Sequence, residues 1–98
     1  MIEIRQTATY IKWFAGLTDL QARLRIGARI RRVSVGNFGD AKSVGDGVSE
    51  LRIEHGPGYR LYFTRRGNTV VVLLAGGDKR TQRADIEIAK RLAREWKA

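Results

Sequence analysis

Cysteine is absent from this chain, which excludes a disulfide framework and any thiolate metal site. Histidine occurs once, as His55, too rarely for a zinc site, so neither a metal nor a cofactor is expected. A chain without thiols fits a reducing compartment, and the cytoplasm is the expected location. Long apolar runs are missing too. No segment approaches the roughly 18 apolar residues of a membrane span, and the N-terminal MIEIRQTATY has no apolar signal-peptide core. Neither a repeat nor a low-complexity tract is visible. Acidic residues are scarce: 10 Asp and Glu stand against 19 Lys and Arg, a formal net charge of +9.

What is present suffices for one domain over residues 1–98, since 43% of them are hydrophobic and 30% charged, a balance that can bury a modest core. Fixed cations in such excess call for polyanionic partners, with nucleic acid foremost. They are also clustered. Arg23, Arg25, Arg29, Arg31 and Arg32 crowd one segment, and Lys79, Arg80, Arg83, Lys90, Arg91, Arg94 and Lys97 load the C-terminal one.

Apolar spacing predicts the elements. Ile2 and Ile4 alternate as in a short strand. Tyr10, Trp13, Phe14 and Leu17 then fall on one helical stripe, which places these aromatics in a core. Thr18 and Gln21 match a capping box that opens a second helix, with Leu20, Leu24, Ile26, Ile30 and Val33 as its buried side. The glycine-rich segment 36–47 reads as a loop. Three strands follow. In 48–53 Leu51 and Ile53 face one way and Glu50 and Arg52 the other; in 59–63 Tyr59, Leu61 and Phe63 oppose Arg60 and Tyr62. The run 69–75 is apolar on both faces and therefore central, and a helix from about Asp78 to Lys97 buries Ile88, Ala89, Leu92 and Trp96. The expected architecture is α+β, in the order β-α-α-β-β-β-α: a small, twisted, mainly antiparallel sheet of about four strands, an N-terminal helical hairpin and a C-terminal helix. Helices packed on one face would leave Glu50, Arg52, Arg60 and Tyr62 on a polar face open to a ligand.

The stretch LLAGGDKRTQRADI (73–86) has glycines and cations like a phosphate loop, but it lacks the Walker A spacing and the dinucleotide-binding glycine pattern. It reads instead as a strand ending in two flexible glycines, Gly76 and Gly77, that carries Lys79 and Arg80 to the entrance of a helix capped by Asp78 or Thr81.

Glu50-Leu-Arg-Ile53, Gly56-Pro-Gly-Tyr-Arg-Leu-Tyr-Phe63 and Leu73-Leu-Ala-Gly-Gly-Asp-Lys-Arg-Thr-Gln82, followed by Asp85-Ile86 and Ala89, resemble the RelE/ParE toxin superfamily, specifically its HigB-like addiction-module killer branch. The resemblance implies a type II toxin that cleaves mRNA on the translating ribosome and is restrained, as a hetero-oligomer, by a small helix-turn-helix antitoxin. Attack of the 2′-OH to give a 2′,3′-cyclic phosphate needs a base, cations for the phosphorane and an acid for the leaving oxygen.

Arg60 matches the phosphate-binding arginine of the RelE pattern, and Arg52 stands where those enzymes place a lysine. Lys79 and Arg80 match the Lys-Arg on the leaving-group side. Arg52 stays protonated and acts electrostatically, which leaves His55, an imidazole of ordinary pKa about 6.5, or Lys79, crowded by other cations, as base. The C-terminal tyrosine of RelE has no counterpart, and its place falls to Tyr62 or Gln82. With Arg83, these residues form the expected RNA-binding surface. A ParE-type toxin that inhibits DNA gyrase by binding and a noncatalytic RNA-binding module are the competing expectations.

Overall fold

The computed structural model describes residues 1–97. Five strands, β1 (Glu3–Gln6), β2 (Ala41–Gly45), β3 (Val48–Ile53), β4 (Tyr59–Arg66) and β5 (Val70–Asp78), form one mixed sheet in the order β1-β5-β4-β3-β2. β1 runs parallel to β5, and every other pair of neighbours is antiparallel. Helices α1 (Ala8–Ala15) and α2 (Leu20–Ser34) connect β1 to β2; a short 3-10 turn (Lys79–Thr81) leads from β5 into α3 (Gln82–Glu95). The chain is therefore α+β, as its spacing predicts, with one strand more than expected.

That strand is β2, which arises inside the segment taken for a loop. Its turn into β3 uses Gly45, Asp46 and Gly47, all at positive φ (99°, 56° and 76°). Glycine at two of the three positions accepts this backbone without a Cβ penalty. The glycines thus close a hairpin rather than dissolve the segment into a loop.

The helices cover both faces, which corrects the one-sided layering. On one face, Tyr10 of α1 and Ile26 and Val33 of α2 pack on Leu51, Ile53, Leu61, Phe63, Val71 and Leu73. On the other, Ala89 and Ala93 of α3 pack on Val48, Tyr62, Val72 and Leu74. Small residues on α3 let its backbone come close to the sheet. The face expected to be open is roofed by α3, and both Glu50 and Tyr62 are 0% exposed.

Two details of α2 also differ. Asp19, not Thr18, is the N-cap, its Oδ1 accepting from the Ala22 amide at 3.2 Å. Leu20 and Leu24 lie outside, 66% and 57% exposed, because α2 buries the stripe through Ala22, Ile26 and Val33. Thr7 anchors α1: its Oγ1 accepts from the Tyr10 amide at 3.0 Å and donates to the Leu74 carbonyl at 2.6 Å.

Gly76 and Gly77 belong to β5 rather than to a flexible exit. The β4–β5 register shifts between Tyr62 and Phe63, a bulge that sends both Leu74 and Ala75 toward α3. Beyond it, a Cβ on Gly76 would collide with the Trp13 indole, and one on Gly77 with the Asp85 and Thr81 side chains. These glycines are required by close packing on both faces of the strand.

Candidate active site

Strand pairing alone assembles the centre of the site. In the β3–β4 hairpin Arg52 pairs with Arg60 and Glu50 with Tyr62, so all four share the α3-facing side. The hairpin turn needs Gly56 and Gly58 at φ of 57° and 81°. Gly58 has a second function, since the Lys79 stem lies across it where a Cβ would collide. Lys79 is thereby carried from the end of β5 to the mouth of the hairpin.

Arg52, Ile53, Glu54, His55, Gly56, Gly58, Arg60 and Lys79 line an open pocket of about 460 Å³. A neighbouring cleft of about 330 Å³ shares Arg52, Ile53 and Glu54 with it and continues along Arg25, Ala28, Arg29 and Asp40. Among the described residues, Lys79 forms no ion pair with an acidic side chain.

Beneath the pocket lies Glu50, a residue that sequence reasoning placed on the right face but gave no part in the site. Its Oε1 accepts from Arg52 Nε at 3.2 Å and lies 3.7 Å from Arg60 Nε, while its Oε2 accepts from Gln82 Nε2 at 2.7 Å. Burial by itself would raise the Glu50 pKa; the Gln82 and Arg52 hydrogen bonds, the adjacent Tyr62 hydroxyl and the Arg60 charge together outweigh it and hold the carboxyl below its ordinary value. The detectable signal was the register. Counting back from the Gly-Pro-Gly turn sets Arg52 opposite Arg60, an unfavourable like-charge pair that needs an anion close by.

His55 lines the pocket with its Nε2 2.9 Å from Asp19 Oδ2. Asp19 thus caps α2 with one oxygen and orients the imidazole with the other. Its own pKa is lowered by the His55 hydrogen bond, then by the Ala22 amide.

Four expected site residues lie elsewhere. Tyr62 is buried under α3 with its hydroxyl beside Glu50, and its phenol pKa is raised first by burial and then by the Glu50 charge. It presents nothing to a ligand in the pocket. Gln82 is committed to Glu50. Arg80 is turned outward and paired with Asp78 at 3.0 Å, and neither it nor Arg83 lines the pocket. Asp78 is the cap, closing the 3-10 turn in a reciprocal box with Thr81. Among the described residues no three His, Cys, Asp or Glu side chains gather as a metal site, and no helix is long and apolar enough to cross a membrane.

A mixed α+β sheet whose β3–β4 hairpin and β5 terminus bring cations to one pocket defines a protein of RelE-like architecture. Residues 12–94 match the family model described as phage-derived protein Gp49-like (DUF891), and the chain belongs to that RelE-toxin-like family. A Haemophilus influenzae protein named "Uncharacterized protein" is 51% identical over 94 residues, covering 96% of this chain and 95% of its own length.

Proposed function

We propose that the chain is the toxin of a type II toxin–antitoxin pair, of the HigB-like branch, and that it cleaves mRNA on the translating ribosome without a metal ion. The observation that carries this reading is the convergence of Arg52, His55, Arg60 and Lys79 on one pocket. Arg60 and Arg52 grip the scissile phosphate, their guanidinium forks matching its oxygens. Lys79 stabilises the charge that develops on the phosphorane and on the departing 5′-oxygen.

With Asp19 accepting from Nε2–H, a neutral His55 keeps its lone pair on Nδ1, and that nitrogen takes the 2′-OH proton. The 2′-oxygen then bonds to phosphorus, the bond to the 5′-oxygen breaks as the Lys79 ammonium gives that oxygen a proton, and a 2′,3′-cyclic phosphate results; the His55 proton then passes to solvent and Lys79 regains one from it. The cleft beyond Arg52 continues the path for the strand. A small helix-turn-helix antitoxin holds the toxin inactive, and the exposed Leu20 and Leu24 beside Arg25 offer a surface to it or to ribosomal RNA.

The test is induction of wild type, Arg60→Ala and Lys79→Ala in a host, with growth, transcript ends and antitoxin binding all measured. Wild type should stop growth and leave ends near the codon being read. Each variant should lose both effects while still binding antitoxin. Intact transcripts together with DNA damage would mean gyrase inhibition, and RNA binding without cleavage or toxicity would mean a binding module.

A further inference from the structure

Glu50 takes no part in the proton transfers of the proposed cleavage, yet it contacts both pocket arginines. An ionised carboxylate with no exposed surface is tolerated only where hydrogen bonds and opposite charge replace its hydration. Arg52, Arg60 and Gln82 supply both. The relation also runs the other way. Arg52 and Arg60 are directly opposed across the β3–β4 ladder, where two guanidinium groups alone repel.

We propose that Glu50 is the positioning residue of the pocket: from the α3 side its Oε1 hydrogen-bonds Arg52 Nε and attracts the Arg60 guanidinium by charge across 3.7 Å, which leaves their terminal nitrogens to one phosphate. Gln82 keeps the carboxylate from turning. It donates to Oε2 from the start of α3, while Oε1 faces the two arginines. Arg60 Nη1 makes only long contacts to the Gly58 and Tyr59 carbonyls, 3.4 and 3.3 Å, which a phosphate oxygen can replace. This role presupposes that the pocket grips a phosphodiester.

A consequence separates positioning from bulk structural support. Glu50→Gln removes a negative charge beneath a cationic pocket, so RNA should bind at least as tightly as to wild type. The guanidinium groups, released from their common anchor, should spread, and misplacement on the order of 1 Å reduces cleavage roughly 100-fold. Binding is thus held while the chemical step falls. Glu50→Asp keeps the charge on a shorter stem and should recover part of the rate.

The experiment combines single-turnover cleavage of ribosome-bound mRNA, Kd for the same RNA, and NMR of the Arg52 and Arg60 Nε–Hε groups. The Arg52 signal, hydrogen-bonded to Glu50, should be protected from exchange in wild type and Glu50→Asp and exposed in Glu50→Gln, and the Arg60 signal, held by charge alone, should change its chemical shift in Glu50→Gln. Unchanged arginine signals in Glu50→Gln, or cleavage equal to wild type, overturns the role. Should Glu50→Gln fail to fold, Gln82→Ala retains the charge and frees Oε2; it should slow cleavage and loosen both arginine signals, and a wild-type spectrum would count against positioning. If wild type itself cuts no RNA, the nuclease reading fails, and the arginine signals still decide whether Glu50 organises the pair.

Discussion

A missing methyl group determines where Trp13 rests. Gly76 pairs with Leu61 across the sheet, and the space its Cβ would fill holds the Trp13 ring. That ring lies edge-on to Tyr59 with centroids 6.3 Å apart, and Tyr59 directly precedes Arg60. Gly76→Ala must therefore push the indole outward, and overpacking of this kind costs about 1–3 kcal/mol. Urea unfolding should give a lower midpoint, and Trp fluorescence should shift; a variant with wild-type midpoint and spectrum would refute the steric account. The sequence marks these glycines as unusual without revealing why, because flexibility and close approach leave the same residue type behind. Arg52 and Arg60 were legible from alternation and resemblance. The placing of Tyr62 and Gln82 against Glu50 under α3 was not legible, since alternation tells which face a side chain takes but not what covers that face.

Among the elements, α2 and the β3–β4 hairpin are held together by Asp19. One carboxylate oxygen accepts from the Ala22 amide and the other bonds His55, and this depresses the Asp19 pKa. A depressed folded-state pKa means that the stabilisation is fully present above the unfolded value, about 3.9, and is lost as pH falls through the lower folded value. Asn is a comparable N-cap without the charge, so Asp19→Asn isolates the contact to His55. At neutral pH the variant should melt below wild type, and the gap should close as the pH is taken below about 4. A gap that persists in acid would place the stabilisation in the cap alone. The helical hairpin and the central strands were readable from periodicity, because burial imposes a strict repeat on them. β2 was masked by the glycines of its own turn. The covering of the second face by α3 depends on long-range docking, and no local period records it.

For the molecule as a whole, a net charge of +9 attracts polyanions in general, and on the proposed function geometry decides which cations grip RNA. Single-stranded RNA lowers log K against log salt by about 0.7 per phosphate contact, so the slope counts contacts rather than charges. Arg52, Arg60 and Lys79 line the pocket, whereas Arg80 is 80% exposed outside it and already neutralised by Asp78. Lys79→Ala should flatten the slope by about 0.7; Arg80→Ala, which removes the same formal charge, should change it far less. The comparison holds net charge constant between the two variants, so long-range attraction cancels and only the local contact differs. Equal slopes would mean that RNA is held by the overall field of the protein, and the pocket would then lose its claim to the phosphate.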